Sequence, residues 1–300
     1  MYTYPKPYLN ANELVRHLMS KGMQMINPQW AEDTIIQIGY YRLKGYFLPF
    51  YNQASGFYSS DTSFEDIVEL YHFDVELSKL IFGYILKIEV ALRARLIEAL
   101  AIAQDVTALS NPSLFDDKKK YWENQSSISS EIARSADKFI NHQYSNYEGA
   151  VPVWAAVEVM QYGTLSKLIK NLKTGANTAY EKLRSFYKYP NSNGSMTIPS
   201  AKLFTSWIQA TSAMRNICAH GGRIYNRAIS AHPEILNADA ITPVPASFGA
   251  YQEILAMKYL RPDNTSWKNF STELTTLFSK YSSIIALSKL GFPSDWSLHI

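Results

Sequence analysis

The 300-residue sequence predicts an all-α fold, a multi-helix domain. Three observations carry this. Apolar residues recur at three- and four-residue steps over most of the chain. Cap-forming side chains and Gly, Pro or Asn breakers stand at the ends of those runs. Period-two alternation, the signature of strands, is scarce, and no internal repeat is present. Hydrophobic residues make up 47% and charged residues 18%, enough apolar surface for a core and too little charge for a disordered chain.

The elements follow in order. Residues 9–23 read as a first short helix ended by Gly22, and 31–39 as a second, leading into Y-Y-R-L-K-G-Y-F-L-P-F-Y. Pro49 and the polar tract 52–62 form a loop. Thr62 and Ser63, followed by Glu65 and Asp66, are overlapping capping signals for a long amphipathic helix. Its apolar stripe comprises Ile67, Leu70, Leu77, Ile81, Tyr84, Ile85, Ile88, Leu92, Leu96 and Ala99, with Gly83 as the point where it would bend. Asn111-Pro112 breaks the pattern. The polar stretch 113–147 carries one exposed helix, and a further helical region runs from 151 to about 172. A Gly/Asn/Ser-rich loop at 190–199 precedes a helix over 200–220. Two more helices, 248–260 and 264–288, finish the chain. No linker separates domains, so the chain reads as one mainly helical unit.

The net charge of +3 permits an anionic partner without demanding one. Cys218 is the single cysteine, which excludes an intrachain disulfide and a cysteine-based metal site. Tyrosine is frequent, 21 residues, which fits stacking surfaces and helix interfaces alike. No signal-peptide-like apolar run opens the chain, and no stretch of ~18 apolar residues would span a bilayer. The expectation is therefore a cytoplasmic protein.

The helix over 200–220 holds the densest chemistry. Phe204, Trp207, Ile208, Thr211, Met214 and Cys218 share one stripe, and Arg215 falls inside it. An arginine there needs an acidic partner, an anion or an exit to water. Asn216 and His220 stand at i and i+4. Arg215 and His220 are five apart, so ~140° separates their directions. Gly221-Gly222 stops the helix and places His220 in its last turn, where the dipole favours an imidazolium suited to proton transfer. A helix-end histidine serves equally as a cap. The guanidinium could hold a phosphate, and RNA brings its own 2′-hydroxyl nucleophile, so no metal is required.

Several strings together carry a resemblance: K-P-Y-L near residue 6, I-G-Y-Y-R-L-K-G-Y-F-L-P-F at 38–50, L-Y-H-F-D-V-E-L at 70–77 and I-E-V-A-L-R-A-R-L at 88–96. They continue with P-V-W-A-A-V-E-V-M-Q-Y-G-T-L-S-K-L at 152–168 and R-N-I-C-A-H-G-G-R-I-Y-N-R at 215–227. In this order they resemble the Abi family of bacterial abortive-infection proteins, the AbiD/AbiF-like group of the HEPN superfamily. The resemblance implies a HEPN-like helical core over 63–230, preceded by a helical segment over 1–62 with the Y-Y-R-L-K-G-Y motif; it does not extend to 231–300, which is expected to form C-terminal helices packed on the core. It implies a role in phage defence, with Arg215, Asn216 and His220 as the catalytic residues of a metal-independent endoribonuclease that leaves a 2′,3′-cyclic phosphate. It also implies a homodimer in which two motifs meet. RNA is the expected partner; DNA, a membrane, a cofactor and a metal are not expected. Relatives often carry a second histidine where this chain has Gly221. A non-catalytic RNA-binding or regulatory module remains the alternative.

Further candidates each have two readings. Glu89 and Arg93 form either a helix-surface ion pair or a support in which Glu89 faces Arg215. Arg223 and Arg227 bind RNA backbone or are simply solvated. Arg42 and Lys44, interleaved with Tyr40, Tyr41, Tyr46 and Phe47, belong to a stacking platform for single strands or flank aromatics packed on a neighbouring helix. Asp74 and Glu76 are an acidic pair without a metal-ligand histidine, and His72, His142 and His232 are isolated surface residues.

Overall fold

The computed structural model describes residues 7–240 and 249–300. The described residues form twelve α-helices joined by loops, short 3-10 turns and two hairpins of two-residue strands, an all-α architecture as the periodicity predicts. The chain divides into two compact units, residues 1–79 with 273–286, and residues 80–272 with 287–300. Two of the three divisions fall inside helices and the third between Ala286 and Leu287.

The first unit begins with α1 (Ala11–Ser20), where Asn10 and Glu13 form a reciprocal capping box. Helix α2 (Pro28–Ile38) starts with Asn27 as cap and Pro28 in its first turn. Gly39, at φ +91°, turns the chain directly into α3 (Tyr40–Phe47). The predicted loop contains a small hairpin, β1 (Tyr51–Asn52) against β2 (Phe57–Tyr58). Helix α4 (Phe64–Leu100) then begins, and of the two overlapping cap signals Ser63 is the one used, its Oγ accepting from the Asp66 amide at 3.0 Å. Leu18, Leu43, Phe47, Phe64, Ile67, Phe73 and Leu77 are buried in this unit.

The second unit contains the remainder of α4. All ten residues of the predicted α4 stripe, Ile67 through Ala99, are buried. The polar stretch predicted to hold one helix holds two, α5 (Lys118–Arg134) and α6 (Lys138–Asn146). Ser135 turns extended between them, and its hydroxyl bonds Asp137 at 2.7 Å, the local competition that Ser and Asp offer to helix continuation. The next region likewise splits, into α7 (Val153–Val159) and α8 (Tyr162–Asn171). That break is held from elsewhere. Glu131 of α5 accepts from the Gln161 amide at 2.9 Å and the Thr164 hydroxyl at 2.7 Å, capping α8, while Arg93 donates to the Met160 carbonyl at 2.6 Å.

Helix α9 (Ala179–Ser185), which the periodicity does not predict, starts at a Thr178 cap. The Gly/Asn/Ser-rich loop carries β3 (Tyr189–Pro190) paired with β4 (Met196–Thr197). Helix α10 (Ala201–Ala219), capped by Ser200, packs against α8 and α11 (Ala250–Tyr259). Helix α12 spans Asn264–Lys280, shorter than predicted, and 3-10 turns follow.

Candidate functional site

Helix α10 is locked before its functional residues begin. Trp207 is fully buried, stacks on Tyr259 at 4.7 Å and donates its indole N–H to the Glu234 carbonyl at 2.7 Å. One turn on, Thr211 meets the buried Tyr162 hydroxyl of α8 at 2.7 Å. Burial raises the Tyr162 pKa, opposed by that hydrogen bond, so the hydroxyl stays neutral. The stripe Phe204, Trp207, Ile208, Thr211, Met214 and Cys218 is buried throughout.

Arg215 continues this stripe and is only half-buried. Its guanidinium carbon lies 5.8 Å from the centre of the Phe82 ring on α4, a cation–π contact. Its Nε is buried without a hydrogen-bond partner, and among the described residues no carboxylate pairs with it. Of the three resolutions open to an arginine at this position, the partial exit to water is the one seen, and no acid among the described residues pairs with it. Asn216 and His220 are exposed on the neighbouring face.

His220 is the C-cap of α10. Its amide donates to the Asn216 carbonyl at 3.1 Å. Gly221 follows at φ +60°, and the Gly222 amide closes the helix onto the Ile217 carbonyl at 2.7 Å, a Schellman-type stop. Past it, Arg223 braces the turn, its Nη1 donating to the carbonyls of Tyr225 at 2.7 Å and Asn226 at 2.8 Å. Arg227 is exposed and folds back to the Arg223 carbonyl at 3.2 Å, so its charge stays beside the helix end.

Glu89 and Arg93 pair with each other, Nη2 to Oε1 at 2.5 Å, and both are largely buried. Arg93 carries its second bond to Met160, and the other Glu89 oxygen has no partner. Both charges act on the Tyr162 hydroxyl, which bonds Thr211, one turn before Arg215. The ion-pair reading is thus realised within α4, while the residue facing Arg215 is Phe82.

Arg42 and Lys44 belong to α3 in the first unit. There Leu43, Tyr46 and Phe47 are buried, Tyr46 donating to the buried Asp74 at 2.7 Å, while Tyr41 is 88% exposed and Arg42 is exposed. Glu76 accepts from Lys280 at 2.7 Å and Tyr281 at 2.8 Å, and these bonds lower its pKa. No group of ligating side chains that could hold a metal is present among the described residues. His72, His142 and His232 are exposed, as expected for surface residues.

A local count of charge, missed in the whole-chain total, separates the units. The first has seven lysines and arginines against ten acids, and the second has 22 against 16. Residues 159–233, which include α8, α9 and α10, hold ten basic side chains and one acid, Glu181. Arg215 therefore stands in the most cationic stretch of the chain.

The protein is helical, and at one helix end it holds an arginine without an acidic partner among the described residues and an exposed histidine, within a basic segment. The chain belongs to the Abi-like protein family, whose profile matches residues 33–226, nearly two thirds of its length. The match ends at Asn226, seven residues beyond α10. No curated protein and no solved structure matches the chain. No described helix is long and apolar enough to cross a membrane.

Proposed function

We propose that the protein acts in bacterial abortive infection as a metal-independent endoribonuclease of the HEPN type. One observation carries the reading: Arg215 is half-buried over Phe82, with a buried, unpaired Nε and no protein carboxylate, inside a segment of ten cations and one acid. Such a guanidinium is left with its charge available for an external anion, and a phosphodiester matches it in sign and geometry.

In this reading Arg215 grips the non-bridging phosphate oxygens and stabilises the charge that grows on them. His220 accepts the proton of the RNA 2′-hydroxyl as its oxygen attacks phosphorus. The 5′-oxygen leaves and takes up a proton from water, and the His220 imidazolium returns its proton to solvent, giving a 2′,3′-cyclic phosphate and a 5′-hydroxyl. Asn216, one helical turn before His220, positions the phosphate or the imidazole. The ~140° between Arg215 and His220 on one helix is answered by a homodimer that presents the arginine of one copy and the histidine of the other to the same phosphate. Arg223 and Arg227 at the helix end add contacts to the RNA backbone, as do Arg42 and Lys44 on α3. The Glu89–Arg93 pair supports the site by holding the α7–α8 break beside Tyr162.

A second reading has its own observation. The His220 side chain makes no hydrogen bond to the described residues, whereas a general base is ordinarily oriented by a partner. A non-catalytic RNA-binding module would use the same arginine and leave His220 as a cap. Incubating purified protein with RNA in EDTA distinguishes the two. Cleavage to cyclic-phosphate ends by the wild type, abolished in His220→Ala, supports the nuclease. Equal behaviour of both proteins at equal purity ends that reading, and salt-sensitive RNA retention by both supports the module.

A further inference from the structure

Near the start of α10, well away from Arg215, the second unit contains an open pocket of about 550 Å³. One wall is the β3–β4 hairpin with Tyr189, Asn191 and Ser192. Leu203 of α10 also lines it, and the segment with Ile235, Leu236 and Asn237 forms the other wall.

Both walls are tied by hydrogen bonds within the chain. In the hairpin, the Asn191 side chain accepts from the Asn193 and Ser195 amides at 3.2 and 3.0 Å and donates to Thr197 at 3.1 Å. Tyr189 sits edge-on to the buried Trp207 at 6.5 Å. On the opposite wall the Glu234 carbonyl accepts from Trp207 and its amide donates to Ser206 at 2.9 Å. The Leu236 amide donates to the Tyr259 hydroxyl at 3.3 Å, and that hydroxyl donates to the buried Asp239 at 2.8 Å. These bonds shape the cavity without a ligand, which lowers the ordering cost of binding one.

What it offers a ligand is specific in kind. It has an aromatic ring and aliphatic side chains for a flat apolar group, and two exposed polar side chains, Ser192 and Asn237, that are not engaged by the described residues and so are open to a ligand. Lys188, beside Tyr189, is exposed and forms no ion pair among the described residues. The hairpin and Leu203 belong to the segment of ten cations and one acid, while the opposite wall follows Glu234, which pairs with Lys202 at 2.6 Å and leaves Lys188 as the cation beside the hairpin without an ion pair among the described residues. A flat heteroaromatic ring with a hydrogen-bonding edge, attached to a chain of negative charge, satisfies all of these at once.

We propose that this pocket is a nucleobase subsite, taking one unstacked base of a bound RNA strand. The proposal rests on the RNA reading of Arg215 and adds to it a place where base identity is read. Tyr189 supplies the stacking face, Asn237 and Ser192 address the base edge, and Lys188 meets the adjoining phosphate. Leu203 precedes Arg215 by three turns and a fraction, ~18 Å along α10, so a strand several nucleotides long reaches both while a dinucleotide reaches one.

The test uses the full chain carrying His220→Ala, which leaves bound RNA intact, in EDTA. Fluorescence anisotropy is measured with short oligoadenylate, oligouridylate and oligocytidylate. The expected result is unequal affinity for the three. Tyr189→Ala should weaken the preferred one roughly ten- to hundredfold, with Tyr189→Phe close to the parent. Asn237→Ala and Ser192→Ala, at positions where no hydrogen bond of the fold is lost, should narrow the difference among the three. Binding by the parent with unchanged affinity and preference in Tyr189→Ala and Asn237→Ala overturns the subsite and leaves the RNA reading standing. Absence of binding by the parent overturns both.

Discussion

The Arg215 guanidinium lies over the Phe82 ring at 5.8 Å, and Phe82 provides a face where a carboxylate would have provided a charge. A ring face holds a guanidinium in place by its quadrupole without neutralising it. The buried Nε marks the remaining deficit in the arrangement.

This deficit predicts that function and stability separate at Arg215. Arg215→Met keeps the aliphatic contact with Phe82 and removes an unpaired partly buried charge. Its urea midpoint should equal or exceed that of the wild type. RNA cleavage should fall by about a hundredfold or more. A midpoint lowered together with activity would mean that Arg215 serves the fold.

The Glu89–Arg93 pair should behave in the opposite way. Glu89→Gln leaves Arg93 largely buried and short of its counter-charge, and should cost roughly 3 kcal/mol in a urea melt. Replacing both partners by leucine and methionine should recover much of that loss, because the buried charges then disappear together. A double variant as unstable as the single one would show that the Arg93 bond to Met160 stabilises the fold more than the ion pair does.

Glu253 provides a pH signature. It is fully buried on α11, both carboxylate oxygens lack partners among the described residues, and burial raises its pKa from 4.5 to about 8. The folded protein therefore holds a proton between those values that the unfolded chain releases. Stability from this group is full below about 4.5 and declines as pH rises toward 8, by up to a few kcal/mol. Glu253→Gln should remove that slope, read as the difference between variant and wild-type urea midpoints across the window. Parallel profiles would contradict it.

The end of α10 predicts a graded glycine series. Gly221 at φ +60° should accept asparagine with little loss, while valine should cost upwards of about 1 kcal/mol. At Gly222 an added Cβ would meet the Ile217 carbonyl oxygen and the Arg227 Nη1, each at 3.1 Å. Gly222→Ala should displace Arg227 and loosen the cap at His220, lowering RNA affinity more than Gly221→Asn does. Equal affinities in the two variants would disconnect the cap from binding.

Much of the fold was legible in the residues themselves. The stripe from Ile67 to Ala99 and the α10 stripe from Phe204 to Cys218 are buried as their spacing requires, and Ser63 and Ser200 cap where such residues should. The break between α7 and α8 was not legible, because Glu131 and Arg93 hold it from other helices. The single helix expected over 113–147 failed at Ser135, where polarity masked a local turn. At the site, the basic segment 159–233 could have been found by counting charge in a window rather than over the chain.

The sequence by itself determined the all-α class, the buried stripes of α4 and α10, where α10 ends, and that Arg215 and His220 point apart on it. Those are consequences of backbone geometry and of side chains three or four positions away. Only the tertiary structure decided that Arg215 faces Phe82 instead of an acid, that Glu89 turns to Arg93, and that Tyr189 and Asn237 line one cavity. Such pairings depend on which helix faces are buried against each other, and helical periodicity carries the direction of a side chain but not the identity of what it meets.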